Sequence, residues 1–436
     1  MTPRRILAAY FAIAGLYTLS AALIWGVNTL FLLDAGLDIF GVFVANAAFA
    51  AGMFVFEIPT GVLADTAGRR VSFLLSVAIL ALTTVGYVAV ARFGGGLGAF
   101  AAVSVLIGLG FTFYSGAVEA WLVDALHAAG FEGELDSVFA RGSMVSGGAM
   151  LLGTLTGGVL GSIDLAVPYV ARAFMLVAVF GVAFFTMQDL GFTPRTMRVR
   201  ELPNEMRAVA AASVRYGWHE RPVRLLMLCS FVQYGFMAWA VYAWQPYFLE
   251  LLGRDAVWVA GVVASLMAAS MIAGNATADW FSSLCGKRTT LLLWAAGVQT
   301  VAAVGVGLAS SFTVAVAFFM LMMGAVGAAG PVKQAFLQNS IPSEQRASIT
   351  SFASMFGNGG GVLQQAGLGY LARVRSIGEG YVIGGAFTLV AQILLWRLRS
   401  LGADTDVIVG RRGGARGSCP AQGIPEIALV DGRRTL

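Results

Sequence analysis

Charge is scarce in this chain. Only 12% of its 436 residues are charged, against about 25% in an ordinary soluble domain, while 58% are hydrophobic and the mean hydropathy is +0.79. So little polar surface does not coat a water-soluble particle of this length, and lipid is the expected solvent for most of it. Cysteine is equally sparse. The three residues, at positions 229, 285 and 419, lie too far apart for a disulfide framework or a Cys-x-x-Cys metal spacing. The two histidines, His127 and His219, fall in polar stretches, and no His-Glu-x-x-His occurs; metal, redox cofactor and metallohydrolase chemistry are not expected. A phosphate-cradling Gly-x-x-x-x-Gly-Lys-Ser/Thr is also missing, since Gly286-Lys287-Arg288-Thr289 has the wrong spacing, which argues against ATP-driven pumping. The net charge of +5 comes from arginines scattered between apolar runs rather than gathered on one face. That pattern belongs to membrane topology, not to nucleic-acid binding.

What the chain has instead is long apolar runs. A hydrocarbon core about 30 Å thick takes about 20 residues of helix to cross. After a short basic lead, Met1 to Arg5, the first run lies near 6–32, too long for the apolar core of a cleaved signal peptide. Asp34 and Asp38 mark a turn, a second run ends near Leu63, and others follow at 71–91, 98–123, 142–162 and 168–187. Six more lie near 225–249, 256–280, 289–309, 312–336, 347–371 and 380–398. The expected fold is all-α and polytopic: about twelve transmembrane helices as two six-helix pseudo-repeats, residues 1–188 and 224–398. A polar central loop at 189–223 joins them, its segment Asn204 to Tyr216 reading as an amphipathic surface helix, and a Gly- and Arg-rich tail at 399–436 reads as disordered.

Loop charge sets the orientation. With the N-terminus inside, cytoplasmic segments before the tail hold seventeen Lys and Arg, and the outside loops hold four, Arg92, Arg254, Arg373 and Arg375. Both termini are therefore expected in the cytoplasm, with the chain in the plasma (inner) membrane. The halves echo one another: Trp244 follows Trp25 by 219 residues, Gly286-Lys287-Arg288 follows Gly68-Arg69-Arg70 by 218, and Asp279 is the counterpart of Asp65. Near-constant offsets point to a duplicated unit, and parallel six-span repeats place a small-molecule site near the midplane between them.

The segment Gly61-Val62-Leu63-Ala64-Asp65-Thr66-Ala67-Gly68-Arg69-Arg70 resembles the loop signature of the major facilitator superfamily, Gly-x-Leu-Ala-Asp-Arg/Lys-x-Gly-Arg/Lys-Arg/Lys, with Thr66 where a basic residue is usual. Ile341-Pro342-Ser343-Glu344-Gln345-Arg346-Ala347 is similar to the lead into that family's eleventh span. Gly153-Thr154-Leu155-Thr156-Gly157-Gly158 is similar to the Gly-Pro-x-x-Gly-Gly of its drug antiporters, with Thr154 for the proline, and Thr112 stands where proton antiporters carry an arginine. The resemblance covers about residues 6–398 and is nearest in appearance to the drug and metabolite efflux branch. It implies a transporter whose cavity is lined by spans one, four, seven and ten; a monomer is expected, and the missing catalytic and ligand clusters argue against enzymatic activity or a cofactor.

Asp65 is not expected to face lipid. The resemblance implies that it meets the N-terminus of span eleven near Ser343, and that Arg69 or Arg70 meets Asp124 at the end of span four. Gly61, Asp65, Gly68, Arg69, Arg70 and Asp124 would then latch the halves closed on the inside; the plainer alternative is a positive-inside anchor in a solvated loop. Glu119, in Ser-Gly-Ala-Val-Glu-Ala-Trp, and Lys333, onto whose position Ser115 maps, are read as facing each other across the pseudo-two-fold axis. Glu119 is then a proton carrier or one half of a static ion pair. Glu57, near the helix-bending Pro59, is a second protonatable candidate, a part of the gate, or a hydrogen-bonding group between helices.

Trp25, Asn28, Tyr114, Gln233, Tyr234, Trp239 and Asn358 are the candidate cavity lining, suited to a fairly apolar ligand with a few hydrogen bonds; Trp and Tyr also belong to interfacial belts. Arg172, near the outer end of span six, reads as snorkelling to the headgroups. Gly157-Gly158 and Gly359-Gly360-Gly361 read as close helix packing. The expected function is secondary active transport of a small, partly apolar molecule by alternating access, as proton-coupled efflux. A proton-coupled uptake symporter is the alternative, with a transport-dead sensor or a membrane-embedded enzyme as a third class. An aromatic, nearly charge-free midplane favours export over sugar or organic-anion uptake, since an anionic substrate calls for a central Arg or Lys.

Overall fold

In hydrocarbon a long apolar run satisfies its backbone by coiling into a helix, because no water is present to take the N–H and C=O groups. The structure, a computed structural model, describes residues 1–114, 116–192, 207, 211, 214, 217–253, 256–341, 346–402 and 406. Before the central loop run α1 (Pro3–Trp25), α2 (Asn28–Asp34), α3 (Ile39–Ala67), α4 (Arg69–Arg92), α5 (Leu97–Tyr114), α6 (Ala117–Ala128), α7 (Leu135–Gly161) and α8 (Val167–Thr186). After it run α9 (Arg221–Leu252), α10 (Val257–Cys285), α11 (Arg288–Leu308), α12 (Phe312–Asn339), α13 (Arg346–Val374), α14 (Ile377–Phe387) and α15 (Leu389–Ser400). Most of the proposed surface helix at Asn204 to Tyr216 lies outside the described residues.

Among the described residues eleven helices are long and apolar enough to cross a membrane, with α5–α6 and α14–α15 each counted once. The chain is a multi-pass membrane protein. The expected eleventh span, α13, is long enough at 29 residues but stands outside that set. It carries Asn358, Gln364 and Gln365, all buried, and Gln364 Nε2 donates to the Val232 carbonyl of α9 at 3.0 Å. Its polarity faces protein, not lipid.

The packing repeats. In the first set of helices α1 lies against α7 and α8, α3 against α5, and α4 against α8; in the second, α9 lies against α13 and α15, α10 against α12, and α11 against α15. A capping device repeats with it. Asp189, just after α8, accepts the Arg70 N–H at the start of α4 at 2.9 Å. Asp406, just after α15, accepts both the N–H and the hydroxyl of Thr289 at the start of α11, each at 2.7 Å. Thr289 follows Arg70 by 219 residues and Asp406 follows Asp189 by 217, the offset of the sequence echoes.

Asp406 is 3% exposed, so the reading of 399–436 as disordered does not hold there; the other tail residues beyond 402 lie outside the described set. A helix-start acceptor is worth about 0.5–2 kcal/mol, and the upper end is expected for the buried Asp406, whose loss leaves buried donors unsatisfied. Asp406→Ala is therefore expected to lower the melting temperature of the detergent-solubilised protein by about 4 °C and Asp189→Ala by about 2 °C. Equal shifts would mean that the burial of Asp406 contributes nothing.

The two sets meet through α3 with α13, α7 with α10, and α2 with α9. The side of the molecule carrying the N-terminus is called the terminal side, and the opposite one the far side. Hydrogen bonds close the far side. The Thr29 N–H donates to Gln245 Oε1 at 2.8 Å, the Thr29 hydroxyl to the Tyr242 carbonyl at 2.9 Å, and Gln245 Nε2 to the Trp25 carbonyl at 3.0 Å. Arg373 pairs with Asp38 at 3.2 Å on the same side. Between α7 and α10 the backbones touch: a Cβ on Gly158 would meet Gly261 Cα at 2.6 Å.

Candidate functional site

Two cavities lie between the sets, one above the other along α3. The first, about 350 Å³, is lined by Met53 and Glu57 of α3, Tyr234 of α9, Lys333 of α12 and Asn358 of α13. The second, about 260 Å³, starts one helical turn nearer the far side at Phe49, and takes in Trp25, Asn28, Asn46, Arg172 of α8 and Tyr242 of α9. Each joins side chains from both sets, so each changes shape when the sets move.

The first cavity has a charge of each sign. Among the described residues no ion pair engages Glu57 or Lys333, although both line it. Pro59 and Pro331 sit within α3 and α12, two residues from these side chains, and each removes a helical hydrogen bond where the backbone has to bend.

The second cavity is a cage of donors and rings. Tyr169 donates to Asn28 Oδ1 at 2.8 Å, and Asn28 Nδ2 donates to Asn46 Oδ1 at 3.2 Å. Asn46 Nδ2 is then left without an acceptor, as is Arg172 Nε. The Tyr87 hydroxyl shares a hydrogen bond with Ser104 on the cavity wall. Phe31 packs on Tyr169 with centroids 4.2 Å apart, behind that wall.

Of the seven residues expected to line a cavity, Trp25 and Asn28 line the second, and Tyr234 and Asn358 the first. The other three are turned elsewhere. Tyr114 stacks on Tyr17 at 3.9 Å inside the first set, Gln233 reaches Gln299 of α11 at 3.5 Å, and Trp239 is fully buried against Tyr381 at 5.0 Å. Glu119 stands in the first turn of α6, after the left-handed Gly116. It lies off both cavities and is not paired with Lys333, so the expected facing of Glu119 and Lys333 is not found. Ser115 is outside the described residues.

Arg172 corrects another expectation. It does not snorkel. At 4% exposure it lies among the hydroxyls of Tyr17, Tyr87, Tyr169 and Tyr242 and lines the second cavity. The signal was available: it is the one charged residue of α8, and an ionisable group within a span points to a functional site by default.

At the junction of α3 and α4, Gly68 has φ +106°, in the region that favours glycine. Arg69 Nη1 pairs with Asp65 at 2.7 Å, and Arg70 donates to the Phe184 carbonyl at 2.7 Å with its guanidinium 5.1 Å from the Phe184 ring. Arg69 and Arg70 thus have partners other than Asp124, the expected one. Asp189, not singled out from the sequence, takes the N–H of Arg70. A Cβ on Gly61 would meet nothing within 4 Å. The expected helix start near Ser343 lies outside the described residues.

Comparison with known proteins agrees with this architecture. A family model described as Major Facilitator Superfamily matches residues 8–365. Among curated proteins nothing matches. Solved structures do. The chain superposes on the nucleoside transporter NupG with a TM-score of 0.73 at 11% identity, over 90% of this chain and 99% of that one. A POT family transporter in complex with 5-aminolevulinic acid gives 0.70 at 11%, over 91% and 96%. A D-xylose-proton symporter gives 0.65 at 14%, over 91% and 98%. At such identities the likeness is one of fold.

Proposed function

The chain belongs to the Major Facilitator Superfamily and is a transporter rather than an enzyme, and we propose that it carries a small molecule together with protons, Glu57 being the group that takes up the proton. The observation behind this is the first cavity, where Glu57 of α3 and Lys333 of α12 share one space without an ion pair. A carboxylate closed off from water is costly when charged. Protonation removes that cost, so an occupied, protonated cavity closes on the terminal side more readily than an ionised one. A cationic ligand would compete with the proton for Glu57 and give exchange. Lys333 and Arg172 disfavour such a ligand, and a neutral or anionic one travels with the proton instead.

Symport therefore replaces the expected efflux as the preferred reading, since the nearly charge-free midplane behind efflux is not what lines these cavities. The D-xylose-proton symporter has the same fold and is named for this coupling. The two helix sets act as moving bundles over 1–188 and 224–398, joined by 189–223, within a monomer. The terminal side faces the cytoplasm of the plasma membrane in this reading, which the arginine-rich loops on that side support.

The test is a substrate screen in proteoliposomes with an imposed pH gradient. Accumulation along the proton gradient is expected, and Glu57→Gln should lower it about tenfold while leaving substrate counterflow intact. Accumulation against proton flow, or unchanged coupling in Glu57→Gln with loss in Glu119→Gln, would sink the proposal.

A further inference from the structure

Among the described residues Arg172 is a buried cation without a counter-ion. Its side chain is 4% exposed, its Nε has no hydrogen-bond partner, and among the described residues no hydrogen bond or ion pair engages it. The groups that interact with it electrostatically, Tyr17 of α1, Tyr87 of α4, Tyr169 of α8 and Tyr242 of α9, are neutral hydroxyls. A guanidinium held this way is strongly unfavourable unless something anionic meets it. The second unpartnered donor of the same cavity, Asn46 Nδ2, is also 4% exposed. Two donors lack acceptors in one cavity of about 260 Å³, whose remaining wall combines neutral polar groups such as Thr84 and Ser104 with an apolar side of Trp25, Phe49, Ile107 and Phe111.

We propose that this second cavity binds the anionic group of an organic acid, with Arg172 and Asn46 donating to it and the aromatic wall holding its apolar body. Guanidinium suits the role because its planar donors match a carboxylate or phosphonate. The cavity also bears on the far-side closure. Tyr242 comes from the second helix set and its carbonyl takes the Thr29 hydroxyl, while Trp25, on the wall, accepts from Gln245. An anion seated there neutralises Arg172, the charged residue that lines this cavity. Calling this anion the substrate rests on the transport reading; the site itself does not.

The experiment is isothermal titration calorimetry on the full chain in nanodiscs with benzoate, phenylphosphonate and the neutral benzamide. One of the two anions should bind about tenfold or more tighter than benzamide, and which one wins distinguishes carboxylate from phosphonate recognition. Arg172→Gln should erase the preference, Arg172→Lys should keep part of it, and Lys333→Gln should keep all of it. No preference for either anion overturns the proposal, as does a preference that survives Arg172→Gln or is lost in Lys333→Gln alone. If Arg172→Gln shows no cooperative melting transition, Asn46→Ala decides: a preference reduced threefold or more supports the site, and an unchanged one overturns it. Anion binding without transport of the anion in vesicles would leave the site standing and remove the reading of the anion as the substrate. Proton-driven transport of neutral compounds alone, with no anion binding, would overturn the site and leave the transport reading standing.

Discussion

Gly158→Leu is expected to lower transport about a hundredfold while the protein still inserts and stays helical. The cause is local and steric. A Cβ on Gly158 would lie 2.6 Å from Gly261 Cα and 2.8 Å from Gly261 N, and one on Gly261 would lie 2.7 Å from the Thr154 carbonyl. These are backbone atoms within two helices, so no side chain is available to swing aside. The helices α7 and α10 have to separate, and they form one of the contacts joining the two helix sets. Overpacking of this kind costs about 1–3 kcal/mol, and about 2.7 kcal/mol against one of two alternating conformations is a hundredfold in rate.

Spin labels at Ser162→Cys and Ala256→Cys, flanking this contact, should report a longer distance in the Gly158→Leu background. Gly148→Leu, on the same helix but with nothing within 4 Å of its Cβ, should stay within twofold of the parent in transport. If Gly158→Leu also transports normally, the far-side contact is not a moving part.

The glycine pair shows how far the sequence can be read. Gly157-Gly158 reads as close packing without a structure, because two adjacent small residues in a span have few other uses. Which helices approach is a different matter. Neighbours on a helix point about 100° apart, so Gly157 meets the Leu23 backbone of α1 and Gly158 meets α10. The same rotation decides the cavity. Spans in lipid are apolar all round, and no polar face marks which side looks inward. Trp25, Asn28, Tyr234 and Asn358 reach a cavity. Trp239, only five residues after Tyr234, turns into the core against Phe43 and Tyr381. The spans themselves are legible because length and hydropathy suffice for them; α13 is the hard one, since its amides are matched by α9 and not by composition.

The burial of Arg172 is not legible in the sequence for a related reason. It stands five residues into α8, within reach of headgroups for a long side chain, and distance alone cannot separate snorkelling from burial. Four tyrosines on four helices make the difference, and their convergence is tertiary. The caps at Asp189 and Asp406 are not legible in the sequence, because an acid just past a span reads as loop polarity until the helix start it meets is known.

Asp65→Asn is expected to slow transport about thirtyfold with ligand affinity within twofold and a melting temperature within about 1 °C. In this structure the carboxylate is 46% exposed and, among the described residues, pairs with Arg69, four residues away, and such pairs are worth about 0–1 kcal/mol. Stability should hardly register its loss. Gly61 points the same way: with nothing within 4 Å of its Cβ, it has open space here and takes on a packing role only if another helix closes over α3. The far side is the closed one, so the conformation in which the terminal side closes is where Asp65 would act, against a helix N-terminus. A partly buried carboxylate there gains up to about 2 kcal/mol, which is about thirtyfold in the population or rate of closure. Asp279→Asn supplies the contrast, although the Asp279 side chain lies outside the described residues. Six residues separate Asp279 from Gly286, against two between Asp65 and Gly68, so the two acids do not hold equivalent places in the sequence, and loss of Asp279 is expected to change transport less than threefold. Measured side by side in vesicles, equal losses in Asp65→Asn and Asp279→Asn would show a symmetric gate, and a fall in ligand affinity in Asp65→Asn would place that residue in the binding site instead.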